Sequence, residues 1–224
     1  MFRNPARPTP SATHTPLARP RSLLSSRRRW LLAATTTGAL TLWLFWPLLR
    51  PPLAPAGGAT LVVAFDGYDR LETALARTRG PLLLLSCPVM GRLTPRQWRR
   101  AGDRSVFIDR SGPDSARQLT ALDAWLDRPP PGLPAFSRVL LVSDSNHIPR
   151  LLPAARLVLG GRGLTVDALL TDGDRPPARR FPHPGPWPIL RDWLRLQLWR
   201  ATGSTGAFLV PSVQRRKSLV CAGL

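Results

Sequence analysis

Polar side chains that can move protons and hold anions follow an apolar run near the middle of the sequence. Residues 139–142 are apolar, Ser143 and Asp144 come directly after them, and His147 and Arg150 follow. An imidazole and a carboxylate can exchange protons, and a guanidinium suits a phosphate or carboxylate ligand. His147 and Arg150 are three residues apart in a helical pattern, so we expect both to point toward one site.

Two earlier apolar runs also end in polar residues. Residues 60–65 are followed by Asp66 and then by Arg70, while residues 82–85 are followed by Ser86. Each residue type has a structural alternative, because Asp is common in turns, serine often bonds to the backbone, and a lone histidine often caps or packs. The position of these groups after buried runs favours a ligand site or catalytic site.

Short apolar runs alternate with amphipathic stretches over most of the chain, and this alternation predicts the fold. The predicted strands are 60–65, 82–85, 105–108, 139–142 and 164–168. The predicted helices are 68–79, 95–98, 113–126, 149–159 and 189–201. Buried strands separated by helices are typical of a doubly wound, mostly parallel sheet with right-handed crossovers. The sequence therefore predicts a Rossmann-like α/β domain of about five strands, with ligands bound at the carboxyl ends of the strands.

An uncharged run at residues 30–49 precedes this domain. Roughly 20 residues at about 1.5 Å per residue are enough to cross a hydrocarbon core of about 30 Å. Arginines cluster before the run, whereas after Arg50 the next basic residue is Arg70. This asymmetry predicts one transmembrane helix that acts as a signal anchor in the cytoplasmic (inner) membrane, with the amino terminus cytoplasmic and residues 59–203 on the exported side.

The segments that flank the span and the domain carry further predictions. Residues 1–29 are rich in Arg and Pro and predict a disordered cytoplasmic tail, residues 50–58 a linker, and residues 204–224 a loosely ordered tail. An alternative is a twin-arginine export signal at residues 26–31, cleaved at the small residues 54–56. The apolar run is longer than the roughly 7–15 residues of a signal-peptide core, which favours an uncleaved anchor.

Composition limits the partners. The 32 basic and 13 acidic residues give the 224-residue chain a net charge of +19, which suits nucleic acid or anionic lipid. The sequence contains no helix-turn-helix, zinc-finger or RNP-like pattern, so nucleic acid is not expected as a partner. The two cysteines, Cys87 and Cys221, provide neither metal-ligand spacing nor a disulfide framework. No metal and no cofactor are predicted, and the oligomeric state is left open.

Several segments resemble signatures of the DUF218 family, a group of bacterial cell-envelope proteins. The strongest is the segment 142–150, V-S-D-S-N-H-I-P-R, which is similar to the family's V-T-S-x-x-H-x-x-R. The first strand, with Asp66 and Arg70 after it, resembles the family's opening segment, and residues 187–203 resemble its closing helix. The resemblance covers about residues 59–203 and implies the same Rossmann-like fold.

Two of the family's segments are altered in this chain. Cys87 and Pro88 stand where the family's second strand ends in glycines, and Arg117 stands where its third signature has an acidic residue. Glycine amides can approach a phosphate closely, whereas proline has no amide hydrogen to donate. A missing acid can mean missing acid–base function. These departures favour, as an alternative, a non-catalytic interaction module of the envelope with a degenerate site.

The resemblance implies a membrane-anchored domain that binds or acts on an anionic small molecule, phosphate-bearing or lipid-linked, in cell-envelope maintenance. In this hypothesis guanidinium groups hold the anion, while the imidazole and a carboxylate transfer a proton. The predicted catalytic residues are His147, Asp66 and Asp144, and the predicted ligand-binding residues are Arg70, Ser86, Ser143 and Arg150. The sequence does not decide whether the protein is an enzyme. A cytoplasmic nucleotide-binding or nucleic-acid-binding domain is a third hypothesis and requires the opposite topology.

Overall fold

Five parallel strands form one sheet, as the sequence predicts. The computed structural model describes residues 23–49, 57–86, 92–111, 114–172 and 185–206. The strands are β1 (Ala59–Phe65), β2 (Leu82–Leu85), β3 (Val106–Asp109), β4 (Phe136–Ser143) and β5 (Thr165–Leu170). Their order across the sheet is β3-β2-β1-β4-β5, and every neighbouring pair is parallel. The protein therefore has an α/β fold whose all-parallel sheet is consistent with a Rossmann-like architecture.

The sequence of β1 shows why the sheet is covered on both faces. Leu61, Val63 and Phe65 belong to one cluster of buried side chains, whereas Val62 and Ala64 belong to another. All five side chains are fully buried. Because successive side chains of a strand point to opposite faces, a continuous apolar run of this kind is stable only between two layers of helices.

Six helices are described, and those after the first supply these two layers. Their bounds are α1 (Leu23–Leu49), α2 (Tyr68–Arg77), α3 (Pro95–Ala101), α4 (Ser115–Asp127), α5 (Ile148–Leu159) and α6 (Pro186–Thr202). Buried residues of α2 and α3 pack in one core cluster, and those of α4, α5 and α6 pack in the other. The predicted helices are confirmed with shifted ends. The start of α6 at Pro186, three residues before its predicted start, is compatible with proline because the first turn needs no amide donor there.

The strand order places the predicted site residues at one edge of the sheet. β1 lies between β2 and β4, so the chain leaves β1 toward β2 and β3 on one side, and later returns to add β4 and β5 on the other. In open parallel sheets this reversal leaves a crevice at the carboxyl ends of the two central strands, where ligands bind. Asp66 follows β1 and Asp144 follows β4, which puts both carboxylates at that crevice.

The amino-terminal helix α1 begins earlier than the predicted span. It covers residues 23–49, so residues 23–29, predicted to belong to a disordered tail, are helical instead. Among the described residues, no helix is both long enough and apolar enough to cross a membrane. Residues 1–22 of the predicted tail, most of the predicted linker (50–56) and residues 207–224 lie outside the described residues.

The boundary between two compact units of the chain falls inside α1, between Thr41 and Leu42. Residues from Leu42 onward belong to the unit that contains the sheet, and there the end of α1 contacts α6. Pro47 has no amide hydrogen, so it cannot donate to the carbonyl of Trp43 four residues earlier. Arg200 of α6 donates to that carbonyl at 3.1 Å, and Gln197 donates to the carbonyl of Leu44 at 2.8 Å. Side chains of α6 thus satisfy backbone groups near the proline.

Candidate active site

The carboxylate of Asp66 binds side chains from two other elements at the carboxyl end of β1. Ser86, which follows β2, donates its hydroxyl to Oδ1 of Asp66. Gln118 of α4 donates its side-chain amide to Oδ2 at 3.2 Å and to the carbonyl of Leu85 at 3.4 Å. Ser86 and Gln118 are both buried. These bonds fix the orientation of the carboxylate by contacts from neighbouring parts of the chain.

Arg70 and Asp144 form an ion pair that joins α2 to the loop after β4. Nε and Nη2 of Arg70 donate to Oδ2 of Asp144 at 3.1 and 2.5 Å, while Nη1 donates to the backbone carbonyl of Asp66 at 2.6 Å. The other carboxylate oxygen, Oδ1 of Asp144, accepts from the backbone amide of His147 at 3.0 Å. Asp144 therefore binds both the guanidinium of Arg70 and the backbone of His147, the residue directly before α5.

The imidazole of His147 lies between two serine hydroxyls. Its Nδ1 is 2.8 Å from Oγ of Ser143 and its Nε2 is 3.0 Å from Oγ of Ser115. The ring also packs edge-on against Phe65, with 5.8 Å between the ring centroids. His147 is 5% exposed, and Ser143 and Ser115 are buried as well. Both ring nitrogens thus have polar partners in an interior position, and the partners are hydroxyls rather than the predicted carboxylates.

Burial and two neighbouring cations keep His147 neutral. Desolvation lowers the pKa of His147 well below its ordinary value of 6.5, and the positive charges of Arg150 and Arg70 lower it further. A neutral imidazole carries one hydrogen, so one nitrogen donates and the other accepts. At neutral pH the ring is therefore in its neutral form, and one of its nitrogens has a free lone pair.

The guanidinium of Arg150 points toward α6 rather than toward the carboxylates of the crevice. Its Nη1 lies 3.8 Å from Oδ2 of Asp192, which is beyond hydrogen-bond distance. Arg191 satisfies the other oxygen of Asp192 with bonds of 3.0 and 2.8 Å. Burial is the main reason that the pKa of Arg150 is lowered, and the nearby cations Arg191 and Arg70 contribute to it. The expectation that His147 and Arg150 point to one place thus holds only in part.

Residues of α5 and α6 line an apolar groove of about 250 Å³, and Arg150 is one of them. Apart from the arginine, its walls consist of apolar side chains: Pro153, Ala154, Pro186, Ile189, Leu190 and Trp193. His147, Arg150 and Ala154 are spaced by three and four residues, so they lie along one face of α5. The groove therefore lies along the same side of α5 as His147.

A smaller hollow of about 150 Å³ lies on the other side of the crevice, beside Ser86. Gly67, Arg92 and Gln97 are among its lining residues. The residues that follow Ser86 include Cys87 and Pro88, where this chain departs from the DUF218 pattern, and they lie outside the described residues. Cys221 also lies outside them. The structure thus places Ser86 at a surface hollow.

The start of α4 contributes two residues to the site that were not predicted from the sequence. Ser115 contacts His147 and Gln118 contacts Asp66, although neither was singled out. Asp114 caps the helix by accepting from the amide of Ala116 at 3.3 Å, and Arg195 of α6 binds its carboxylate with bonds of 2.9 and 2.5 Å. A capping Asp followed by a serine at a predicted helix start was the available signal, since it marks a helix that begins at the edge holding the site.

The structure brings six of the seven predicted site residues into connected contacts and places the seventh at the neighbouring groove. Within the described residues, no group of three or more His, Cys, Asp or Glu side chains could hold a metal ion. The chain matches no protein-family model, no curated protein and no solved structure. The function proposed below is therefore based on the geometry of the site.

Proposed function

We propose that the protein binds an anionic, phosphate-bearing amphiphile at the junction of the crevice and the apolar groove, and acts on it by proton transfer. A lipid-linked precursor in cell-envelope maintenance, as the DUF218 resemblance implies, has this chemistry. The observation that carries the proposal is the position of Arg150. Arg150 lines an apolar groove and lies one helical turn after the buried, neutral His147.

Electrostatics around Arg150 favour an anion. The guanidinium groups of Arg150 and Arg191 face the single carboxylate of Asp192, which leaves one positive charge in excess among these three groups. Arg150 approaches that carboxylate only to 3.8 Å, so a phosphate oxygen can take guanidinium donors without breaking a short hydrogen bond. Leu190, 45% exposed, and the rest of the apolar wall suit a hydrocarbon tail that leaves water.

The connected network offers a second candidate function, the non-catalytic interaction module. The observation in its favour is that both nitrogens of His147 have serine partners and that Arg70 is bound to Asp144 and to the Asp66 carbonyl. Buried polar groups that satisfy one another also stabilise a unique fold without any ligand. In this alternative the crevice is a structural joint and the exposed apolar surface of α6 meets a partner.

Calorimetric titration with dodecyl phosphate, used below its micelle concentration, tests the proposed ligand class. We expect tighter binding of dodecyl phosphate than of inorganic phosphate, because only the former fills the groove. Arg150→Gln should weaken binding of dodecyl phosphate about tenfold or more, as expected for a lost charged hydrogen bond. Arg156→Gln is the matched control, since Arg156 is an exposed arginine of the same helix.

Leu190→Asp separates the two parts of the proposed ligand. This change puts a carboxylate in the groove wall, so it should weaken dodecyl phosphate, which loses both the apolar contact and part of the electrostatic attraction, more than inorganic phosphate, which loses only the latter. Equal affinity of the wild type, Arg150→Gln and Leu190→Asp for dodecyl phosphate would contradict the proposal. Folded His147→Ala and Arg150→Ala proteins that retain the cellular function would support the interaction module instead.

The membrane topology is a separate part of the proposal. Its support is the cluster Arg27–Arg29 before the apolar run and the lack of basic residues between Arg50 and Arg70. A reporter that is active only outside the cytoplasm, fused after Leu224, should be active on a full-length, membrane-bound chain. A shorter soluble product would identify a cleaved export signal, and a silent reporter would place the domain in the cytoplasm.

A further inference from the structure

We infer that Ser115 is the nucleophile of this site, attacking the phosphorus of a phosphate ester with His147 as its general base. This inference rests on the proposed function, which supplies the phosphate-bearing ligand. Oγ of Ser115 lies 3.0 Å from Nε2 of His147, and Nδ1 of the same ring lies 2.8 Å from Oγ of Ser143. A nucleophile, a base and a third group that orients the base form the arrangement that activates serine on unrelated folds.

The two serines have different roles because they contact different ring nitrogens. Ser143, fully buried at the end of β4, can accept the hydrogen of Nδ1 and so hold the ring in one tautomer. In that tautomer Nε2 has a lone pair directed at the hydroxyl of Ser115. Ser143 is then a positioning residue, and His147 and Ser115 are the catalytic residues. Burial keeps His147 neutral, the form in which it accepts a proton.

The backbone around Ser115 is held in place by a buried ion pair. Ser115 is the first residue of α4, directly after Asp114, whose carboxylate caps the helix and binds Arg195. The side chains of Arg195 and Asp114 are 3% and 8% exposed. A nucleophile fixed in this way keeps its distance to the base without a loss of entropy during the reaction.

The step conserves atoms and charge. The bond from Oγ of Ser115 to phosphorus forms as the bond from phosphorus to the leaving oxygen breaks, and the hydroxyl proton passes through Nε2 of His147 to that oxygen. Water then attacks the phosphoserine, gives its proton to His147 and releases phosphate as Oγ takes the proton back. Arg150 lies near enough to lower the pKa of His147 and approaches its carboxylate partner only to 3.8 Å, so it can offset negative charge on the phosphoryl oxygens.

Covalent labelling tests this inference on the full chain. A fluorophosphonate transfers its phosphonyl group to an activated serine and releases fluoride, and peptide mass spectrometry locates the adduct. We expect one adduct, at Ser115, and a labelling rate about 10²- to 10⁴-fold lower in His147→Asn, because the general base is lost. The rate should be constant above pH 6.5 and fall only below it, since the pKa of His147 is lowered.

The controls separate failure of the nucleophile from failure of the proposed function. Ser115→Ala should abolish labelling while still binding dodecyl phosphate, and Ser105→Ala, at an exposed serine before β3, should change neither. No adduct, or an adduct that persists in Ser115→Ala, overturns the inference. If dodecyl phosphate still binds in an Arg150-dependent manner in that case, the proposed function stands. Circular dichroism of each variant verifies that the fold is intact.

Discussion

Helix α6 contributes to two ion pairs with neighbouring elements, and the two differ in geometry. Arg195 meets Asp114 with two parallel hydrogen bonds of 2.9 and 2.5 Å, and both side chains are almost fully buried. Asp192 meets Arg150 at 3.8 Å, and the side chain of Arg150, which lines the groove, is 26% exposed. The first pair is therefore buried, whereas in the second the guanidinium of Arg150 stays partly exposed.

This difference separates a cation needed for folding from a cation available to a ligand. Arg195 has fixed carboxylate partners and also donates Nε to the carbonyl of Thr205 at 2.9 Å, so a ligand would have to break several short bonds to use it. Arg150 faces one oxygen of a carboxylate at 3.8 Å, and Arg191 binds the other oxygen. The following predictions measure the unfolding free energy when a residue of one of these pairs, or of the crevice beside them, is changed.

The largest effect should come from Arg195→Met. It leaves the carboxylate of Asp114 buried without its cation, and breaking a buried pair in this way costs about 3–5 kcal/mol. Chemical denaturation of the purified protein measures the loss. The double variant Arg195→Met with Asp114→Asn should recover part of it, because the uncompensated charge is gone and Asn can still cap α4. A loss below about 1 kcal/mol, as for an exposed pair, would remove the contrast.

A smaller loss is expected for Arg70→Met. Asp144 then loses two guanidinium bonds but keeps the bond from the His147 amide, so the cost should be about 1–3 kcal/mol. Arg100→Met is the control, since Arg100 pairs with Glu72 and is 42% exposed. Its loss should be at most about 1 kcal/mol. Equal losses in the two variants would show that the pair of Arg70 and Asp144 contributes no more to stability than the more exposed pair of Arg100 and Glu72.

The pH dependence of stability should reveal His147. Its folded pKa is lowered, so below the ordinary value of 6.5 the unfolded chain binds the proton more strongly than the folded one. Stability contributed by the neutral ring is complete above pH 6.5 and falls as the pH decreases, by up to about 1.4 kcal/mol per pH unit. Denaturation curves between pH 7 and 5 measure this slope. His147→Asn should flatten it, and an unchanged slope in that variant contradicts the assignment.

The smallest effect on stability is expected for Arg150→Gln. A long ion pair to an already satisfied carboxylate contributes at most about 1 kcal/mol, so the denaturation midpoint should be close to that of Arg156→Gln. This is the same variant that should lose dodecyl phosphate binding. A large loss of stability would place Arg150 with Arg195 as a structural cation, and the proposed ligand site would then need another anchor.

Most of the sheet could be predicted because its strands are continuous apolar runs. Leu82–Leu85, for example, is entirely apolar and fully or almost fully buried, and its predicted bounds are confirmed. The longer extent of β4, which begins at Phe136 instead of residue 139, was hidden because residues 136–138 include a serine and an arginine. α1 was also predicted too short. The prediction began after the arginines at residues 27–29, but arginine is compatible with a helix, and α1 begins at Leu23.

Site residues that directly follow strands could be predicted from the apolar runs. Asp66, Ser86 and Asp144 were identified in this way, because parallel strands end at a common edge. Ser115 comes from the start of a helix, and its contact with His147 depends on how α4 packs against α5, which local sequence does not encode. The direction of Arg150 depends in the same way on the packing of α6.

The position of β4 beside β1 has a consequence for how the protein folds. Arg70 and Asp144 are separated by 74 residues along the chain, and they meet only after β4 has paired with β1. Closing so long a loop costs conformational entropy before its contacts form, so such pairings tend to come late in folding. A nascent chain that holds only β1, β2 and β3 therefore contains Asp66, Arg70 and Ser86 but lacks Asp144 and His147. Completion of the central strand pair and assembly of the site are then one event.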